Sequence, residues 1–187
     1  MADDIVVASE ATPPILFLDF DGVLNHGGTL VRPPFIWHRP AVEALNMVFE
    51  AVPETLIVIS SSWRVAHSLD FLRGLLGGMG VNVAQRGLRV IDVTPGVVYR
   101  RDYAADYDDS GGDPRIGERG DEIALWLRHA PPETKFAILD DLGGEGDLDD
   151  HWVRVDGAVG MTTADADRVI GLLRYGPPHA LPAWGRS

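Results

Sequence analysis

Five side chains in this sequence combine reactive chemistry with a telling position. Asp19 and Asp21 follow the apolar run Ile15–Leu18, Ser60 follows Leu56–Ile59, and Asp140 and Asp141 follow Lys135–Leu139. Residues two apart on an extended segment face the same side, so Asp19 and Asp21 can share one substrate. Asp19 can attack phosphorus and form an aspartyl-phosphate. Asp21 is then placed to protonate the leaving oxygen and afterwards to activate water. Gly22 lets the chain turn sharply past the site. The Ser60 hydroxyl, with Ser61 beside it and nearby backbone N–H groups, can hold phosphate oxygens, and an arginine can add a positive clamp. Four carboxylates gathered in one place repel one another unless a cation sits among them. A hard divalent ion with oxygen ligands, magnesium in the company of phosphate, suits Asp19, Asp21, Asp140 and Asp141.

This chemistry requires the three runs to end at one edge. Each is a short, continuous apolar stretch, the pattern of a strand buried on both faces in a parallel sheet. Leu88–Val93 and Trp152–Val155 are further strand candidates. Between them lie helical patterns: Val42, Leu45, Val48, Phe49 and Val52 after Pro40, then Ala66–Leu76, Glu118–Ala130, and a last helix through Leu173 that Thr163 can cap. Strands alternating with helices imply βαβ units and a parallel sheet covered on both faces. In such sheets the ligand crevice lies beyond the carboxyl ends of the strands, where Asp19, Ser60 and Asp140 are expected. Residues 1–14 read as a flexible lead-in, 15–175 as one domain, and 176–187 as an irregular tail.

At the level of motifs the chain resembles the haloacid dehalogenase (HAD) superfamily. Asp19-Phe20-Asp21-Gly22-Val23-Leu24-Asn25 is similar to its motif I, Ile59-Ser60-Ser61-Ser62-Trp63-Arg64 to motif II, and Ile138-Leu139-Asp140-Asp141 to the acidic motif IV. Together with Glu122-Ile123-Ala124-Leu125-Trp126-Leu127, they most resemble the small HAD domains of Swiss Army Knife RNA-repair proteins, over roughly Ile15 to Leu173. The resemblance implies an α/β, HAD-like Rossmannoid three-layer sandwich with a central parallel sheet. It further implies a magnesium-dependent phosphomonoester hydrolase working through an aspartyl-phosphate. The family's motif III is normally a lysine. Here the only lysine, Lys135, starts the strand that ends in Asp140, about 15 Å from the site at ~3.3 Å per residue. Arg119 matches motif III by order, keeps the charge and can bind phosphate bidentately; Arg64 is the reserve. Either Asp140 or Asp141 can hold the metal directly, with Asp141 favoured. The spaces before Pro40 and between Leu88 and Glu118 leave room for a minimal cap or none. By family analogy an open site suits a large substrate, such as a nucleotide or nucleic-acid 3′-phosphate end.

Composition narrows the alternatives. Cysteine is absent, which excludes disulfides and Cys-ligated zinc. The net charge of -12 disfavours broad, nonspecific nucleic-acid binding while leaving room for a local phosphate grip. The apolar runs are far too short to span a bilayer, and no secretory pattern opens the chain, so a cytoplasmic setting and no membrane partner are expected. Asp106–Gly111 superficially resembles a calcium loop, but its twelfth position is Gly117 where a bidentate Glu is required. Trp63 and Trp126 read as core residues. Two other functions stay open at this point: a HAD-fold binding or regulatory domain with weak turnover, and a small-metabolite phosphatase. Oligomeric state is not encoded in any of these patterns.

Overall fold

Ile15-Leu16-Phe17-Leu18 carries no polar side chain and forms strand β1 (Ile15–Leu18), buried along its whole length. The computed structural model describes residues 12–26, 37–83, 89–96, 119–143 and 147–177. Around β1 lie β2 (Leu56–Ile59), β3 (Val90–Val93), β4 (Phe136–Asp140) and β5 (Trp152–Arg154), all parallel, in the order β3-β2-β1-β4-β5. Alternating side chains supply both faces of the sheet. Leu16, Leu18, Ile57, Ile59, Ala137 and Leu139 join one apolar cluster, while Ile15, Phe17, Val58, Phe136 and Ile138 join the other.

Helices α1 (Arg39–Ala51), α2 (Leu69–Gly78) and α4 (Thr163–Tyr175) contribute to the first cluster. Helix α3 (Arg119–Leu127) covers the opposite face through Ile123, Ala124, Trp126 and Leu127. The result is the expected three-layer α/β sandwich. The reversal of direction after β3 explains the split. The chain steps outward from β1 to β3 on one side, then crosses over the other face to reach β4 beside β1. That reversal opens a crevice between the carboxyl ends of β1 and β4.

Local differences from the sequence reading have local causes. The helix expected over Ala66–Leu76 is a 3-10 turn at Ser62–Val65 followed by α2, because Ser61 caps the first and Ser68 caps the second. The last helix is capped by Thr162 rather than Thr163. Thr162 is extended, accepts from the Asp165 N–H and receives the Asp165 carboxylate on its own N–H, a complete capping box. Residues 1–11, 27–36, 84–88, 97–118, 144–146 and 178–187 lie outside the described residues. With them go the expected tail, most of the lead-in, both possible cap positions and the calcium-like run at Asp106–Gly111. Among the described residues no helix is long and apolar enough to cross a membrane.

Helix α4 packs on α1 and β4 and so backs the strand that ends in Asp140. Thr162→Ala should lower unfolding free energy by about 1 kcal/mol, read as an earlier urea midpoint; an unshifted midpoint contradicts a working capping box.

Candidate active site

Strand register sets the site. Leu18 lies level with Ile59 on one side and with Leu139 on the other. The next residue on each strand therefore emerges at one edge: Asp19, Ser60 and Asp140. Backbone bonds hold them level, from Asp19 N–H to Leu139 O (3.0 Å) and from Ser60 N–H to Leu18 O (3.0 Å). Asp19 and Asp140 are both buried. One carboxylate oxygen each from Asp19, Asp140 and Asp141 lies within 4.8 Å of the others.

Asp141 is placed by two glycines. A Cβ on Gly22 would stand 2.2 Å from the Asp141 Oδ2, and one on Gly157 would stand 2.5 Å from it. Gly22 is also at φ +74°, the left-handed region. No side chain fits at either position while Asp141 points into the cluster. Gly157 was not singled out from the sequence, because close approach across a fold leaves no local signature.

Asp21 takes a different position from the one expected of a fourth metal carboxylate. Its side chain accepts from Asn25 Nδ2 (2.8 Å) and from Trp63 Nε1 (2.9 Å) and stands outside the three-carboxylate group. Asn25 also accepts from the Gly22 N–H at 2.8 Å, closing the motif I turn. Asp21 thus remains close to Asp19, with its orientation fixed by an amide and an indole. Trp63, read as core, packs against the core and also holds this catalytic candidate.

The serines divide their roles. The Ser61 hydroxyl accepts from the Trp63 N–H at 3.5 Å and lies close enough to the Asp19 carboxylate to favour its charged form. The Ser60 hydroxyl is fully buried and has no hydrogen-bond partner among the described residues. The structure therefore puts Ser61, rather than Ser60, against the nucleophile.

Arg119 opens α3 and reaches over the cluster. Its Nη2 is 3.6 Å from Asp19 Oδ1 and its Nε is 3.0 Å from Asp140 Oδ2. The second contact is an ion pair without hydrogen-bond alignment, and among the described residues neither Asp140 Oδ2 nor the buried Arg119 Nη1 has a hydrogen-bond partner. A cation with an unused donor above the nucleophile is what a phosphate clamp needs. Lys135 sits at the far end of β4, where its ammonium donates to Arg174 O.

Arg64 corrects another expectation. Its Nε donates to Thr94 O (3.0 Å), its Nη1 to Ser60 O and Ser61 O (both 2.8 Å), and its Nη2 pairs with Glu122. The pair is buried, with side chains 3% and 0% exposed. Four of its five N–H groups are engaged by the scaffold, so Arg64 acts as a brace in this structure. It ties the loop after β2, the end of β3 and helix α3 together, and Glu122 lies one turn beyond Arg119. Burial lowers the Arg64 pKa, and the Glu122 carboxylate opposes that shift.

Burial likewise raises the pKa of the three clustered carboxylates. For Asp19 it outweighs the Arg119 charge and the Ser61 bond, which pull down. Asp140 is pushed up to about 7 by burial and by the neighbouring Asp19. Asp141 rises for the same two reasons. Among the described residues of this cluster, the three carboxylates once ionised would outnumber the one guanidinium by two charges, the charge of one divalent cation. Hard oxygen donors, a spare lone pair on Asp140 and raised pKa values all fit a magnesium ion held by Asp19, Asp140 and Asp141.

A five-stranded parallel sheet in this order, with an acidic cluster where β1 and β4 part, defines a HAD-type α/β domain. The chain belongs to the family described as HAD domain in Swiss Army Knife RNA repair proteins, whose match covers residues 15–166. No curated protein and no solved structure matches it.

Two measurements check this geometry. Removing one partner of a buried ion pair costs about 3–5 kcal/mol, so Arg64→Ala should destabilise by that order in denaturant unfolding; a loss under about 1 kcal/mol would mean that the brace is not buried in solution. The second concerns pH. The folded state holds the Asp140 proton up to about 7, whereas the unfolded chain releases it near ~3.9. The folded state thus binds more protons in between, and stability from this group falls as pH rises from about 4 to 7. Metal-free wild type should lose stability relative to Asp140→Asn across that window; a pH-independent difference contradicts the raised pKa.

Proposed function

We propose that this domain is a magnesium-dependent phosphomonoester hydrolase that works through an aspartyl-phosphate at Asp19, acting on nucleotide or nucleic-acid 3′-phosphate ends. The observation that carries the reading is the convergence on Asp19 of Asp140, Asp141, the Ser61 hydroxyl and the Arg119 guanidinium.

Asp19, Asp140 and Asp141 are the residues that would hold the ion; when bound, magnesium offsets their charge and that of the substrate phosphate. Burial favours a protonated Asp19, yet only the carboxylate is nucleophilic, so the Arg119 charge and the Ser61 hydroxyl matter in the resting site. The Asp19 oxygen attacks phosphorus as the ester oxygen leaves. Asp21 gives that oxygen its proton, then accepts one from the water that hydrolyses the aspartyl-phosphate, and Asp19 returns as a carboxylate. Asn25 and Trp63 hold Asp21 through both steps. Arg119 Nη1 is the free donor for a phosphate oxygen, the role a lysine fills elsewhere in the superfamily. The substrate choice rests on the family's link to RNA repair proteins.

Phosphate release from a generic aryl phosphate should require magnesium, stop on chelation, and fall at least about 1,000-fold in Asp19→Asn. Arg119→Ala should lose about 100-fold or more, and Arg119→Lys should regain part of it. Full turnover in Asp19→Asn would sink the mechanism. A wild type that binds magnesium or phosphate without turnover would instead mark a binding domain.

A further inference from the structure

Asp21 marks where the leaving group must lie, because the proton it delivers goes to the ester oxygen. A row of rings begins at that carboxylate and runs to the surface. Trp63 donates its indole N–H to Asp21 at 2.9 Å. His67 is 5.8 Å from Trp63, tilted by 43°, and Phe71 is stacked on His67 at 4.4 Å with 19° between planes. Inside, Trp63 is braced by Phe20 (5.9 Å) and Trp37 (5.7 Å). The inner rings are packed, while His67 is exposed and Phe71 is 49% exposed. A lone exposed phenylalanine is ordinary. A continuous row that starts at the proton donor and ends in two stacked, exposed rings is harder to attribute to core packing.

We propose that His67 and Phe71, linked to Asp21 through Trp63, form a stacking platform for the unpaired bases of a single-stranded end whose terminal phosphate sits at Asp19. The proposal rests on the phosphatase reading of the site and says how it selects its substrate. Every base has a π-face, so aromatic rings grip single strands without reading sequence. The charge pattern favours rings over cations as the grip. Arg73, on the same helix as Phe71, is engaged by Asp70 and Val90 O. With a net charge of -12 the chain gains little from a polyanionic backbone. The leaving group is therefore held by its bases, and binding beyond the terminal phosphate depends only weakly on salt.

The test compares kcat/KM for a 3′-phosphorylated dinucleotide and for ribose 3-phosphate, which lacks a base. Wild type should favour the dinucleotide by about tenfold or more, and Phe71→Ala should cut that ratio about fivefold or more, mainly through KM. Phe71→Trp should restore it. A ratio near one in wild type, or one that Phe71→Ala leaves in place, overturns the platform while hydrolysis of both compounds keeps the phosphatase reading. If wild type hydrolyses neither, the phosphatase reading fails and equilibrium binding decides the platform. Quenching of tryptophan fluorescence by the dinucleotide, weakened in Phe71→Ala, then supports it, and no quenching overturns it.

Discussion

Three carboxylates share one edge of the sheet, and the rest of the structure can be understood from that constraint. Leu18 is level with both Ile59 and Leu139, so the register that fills the core also brings Asp19 and Asp140 to the same height. Parallel pairing makes this unavoidable, since strands that run in one direction end together. The strand order reverses between β1 and β4, which leaves the edge open where the acids emerge. The hydrophobic effect thus assembles a group of like charges that electrostatics alone would disperse. Core packing sustains the arrangement, and the cost appears in the raised pKa values of Asp19, Asp140 and Asp141.

Around that crowded edge the positive charge is divided between two arginines with different roles. Arg119 is one turn ahead of Glu122 on α3, and Glu122 is fixed by Arg64. Arg64 in turn holds the carbonyls of Ser60, Ser61 and Thr94. One guanidinium, through four of its five N–H groups, therefore ties together the serine loop and the helix that carries the second guanidinium. A lysine at position 64 has no planar fork and could not serve several diverging carbonyls and a carboxylate in this way. Burying such a pair is weak evidence for net stability. Its value here is positional: it ties the loop that carries Ser61 to the helix that carries Arg119.

The fold was legible in the sequence because its signals are local and redundant. Ile15–Leu18, Leu56–Ile59 and Phe136–Leu139 are apolar runs that only a strand covered on both faces accommodates. Asp19, Asp140 and Asp141 were legible as a group because each follows such a run. What escaped depends on contacts between distant segments or on which way one side chain turns. Ser60 and Ser61 differ by one residue, so strand alternation sends their hydroxyls to different surroundings, and the strand end alone does not say which meets Asp19. Asp21 looked like a ligand by spacing, yet Asn25 and Trp63 draw its carboxylate aside. Arg64 looked like a clamp by proximity, and only the position of Glu122, 58 residues later, shows it to be a brace. Gly157 limits the space around Asp141 from another loop.

The departure at motif III follows from the same geometry. Lys135 immediately precedes β4 and so stands at its wrong end, because the five residues Phe136–Asp140 separate it from Asp141. At ~3.3 Å per residue no lysine side chain spans that distance. The required cation must come from an element that starts near the strand ends, and α3 begins there, at Arg119. A guanidinium at that point approaches Asp19 through one nitrogen and Asp140 through another, and its third has no hydrogen-bond partner among the described residues. A single ammonium on one stem has no such fixed spread of donors. The arginine therefore bridges Asp19 and Asp140, and this bridge is what makes its place at the first residue of α3 structurally consequential rather than incidental.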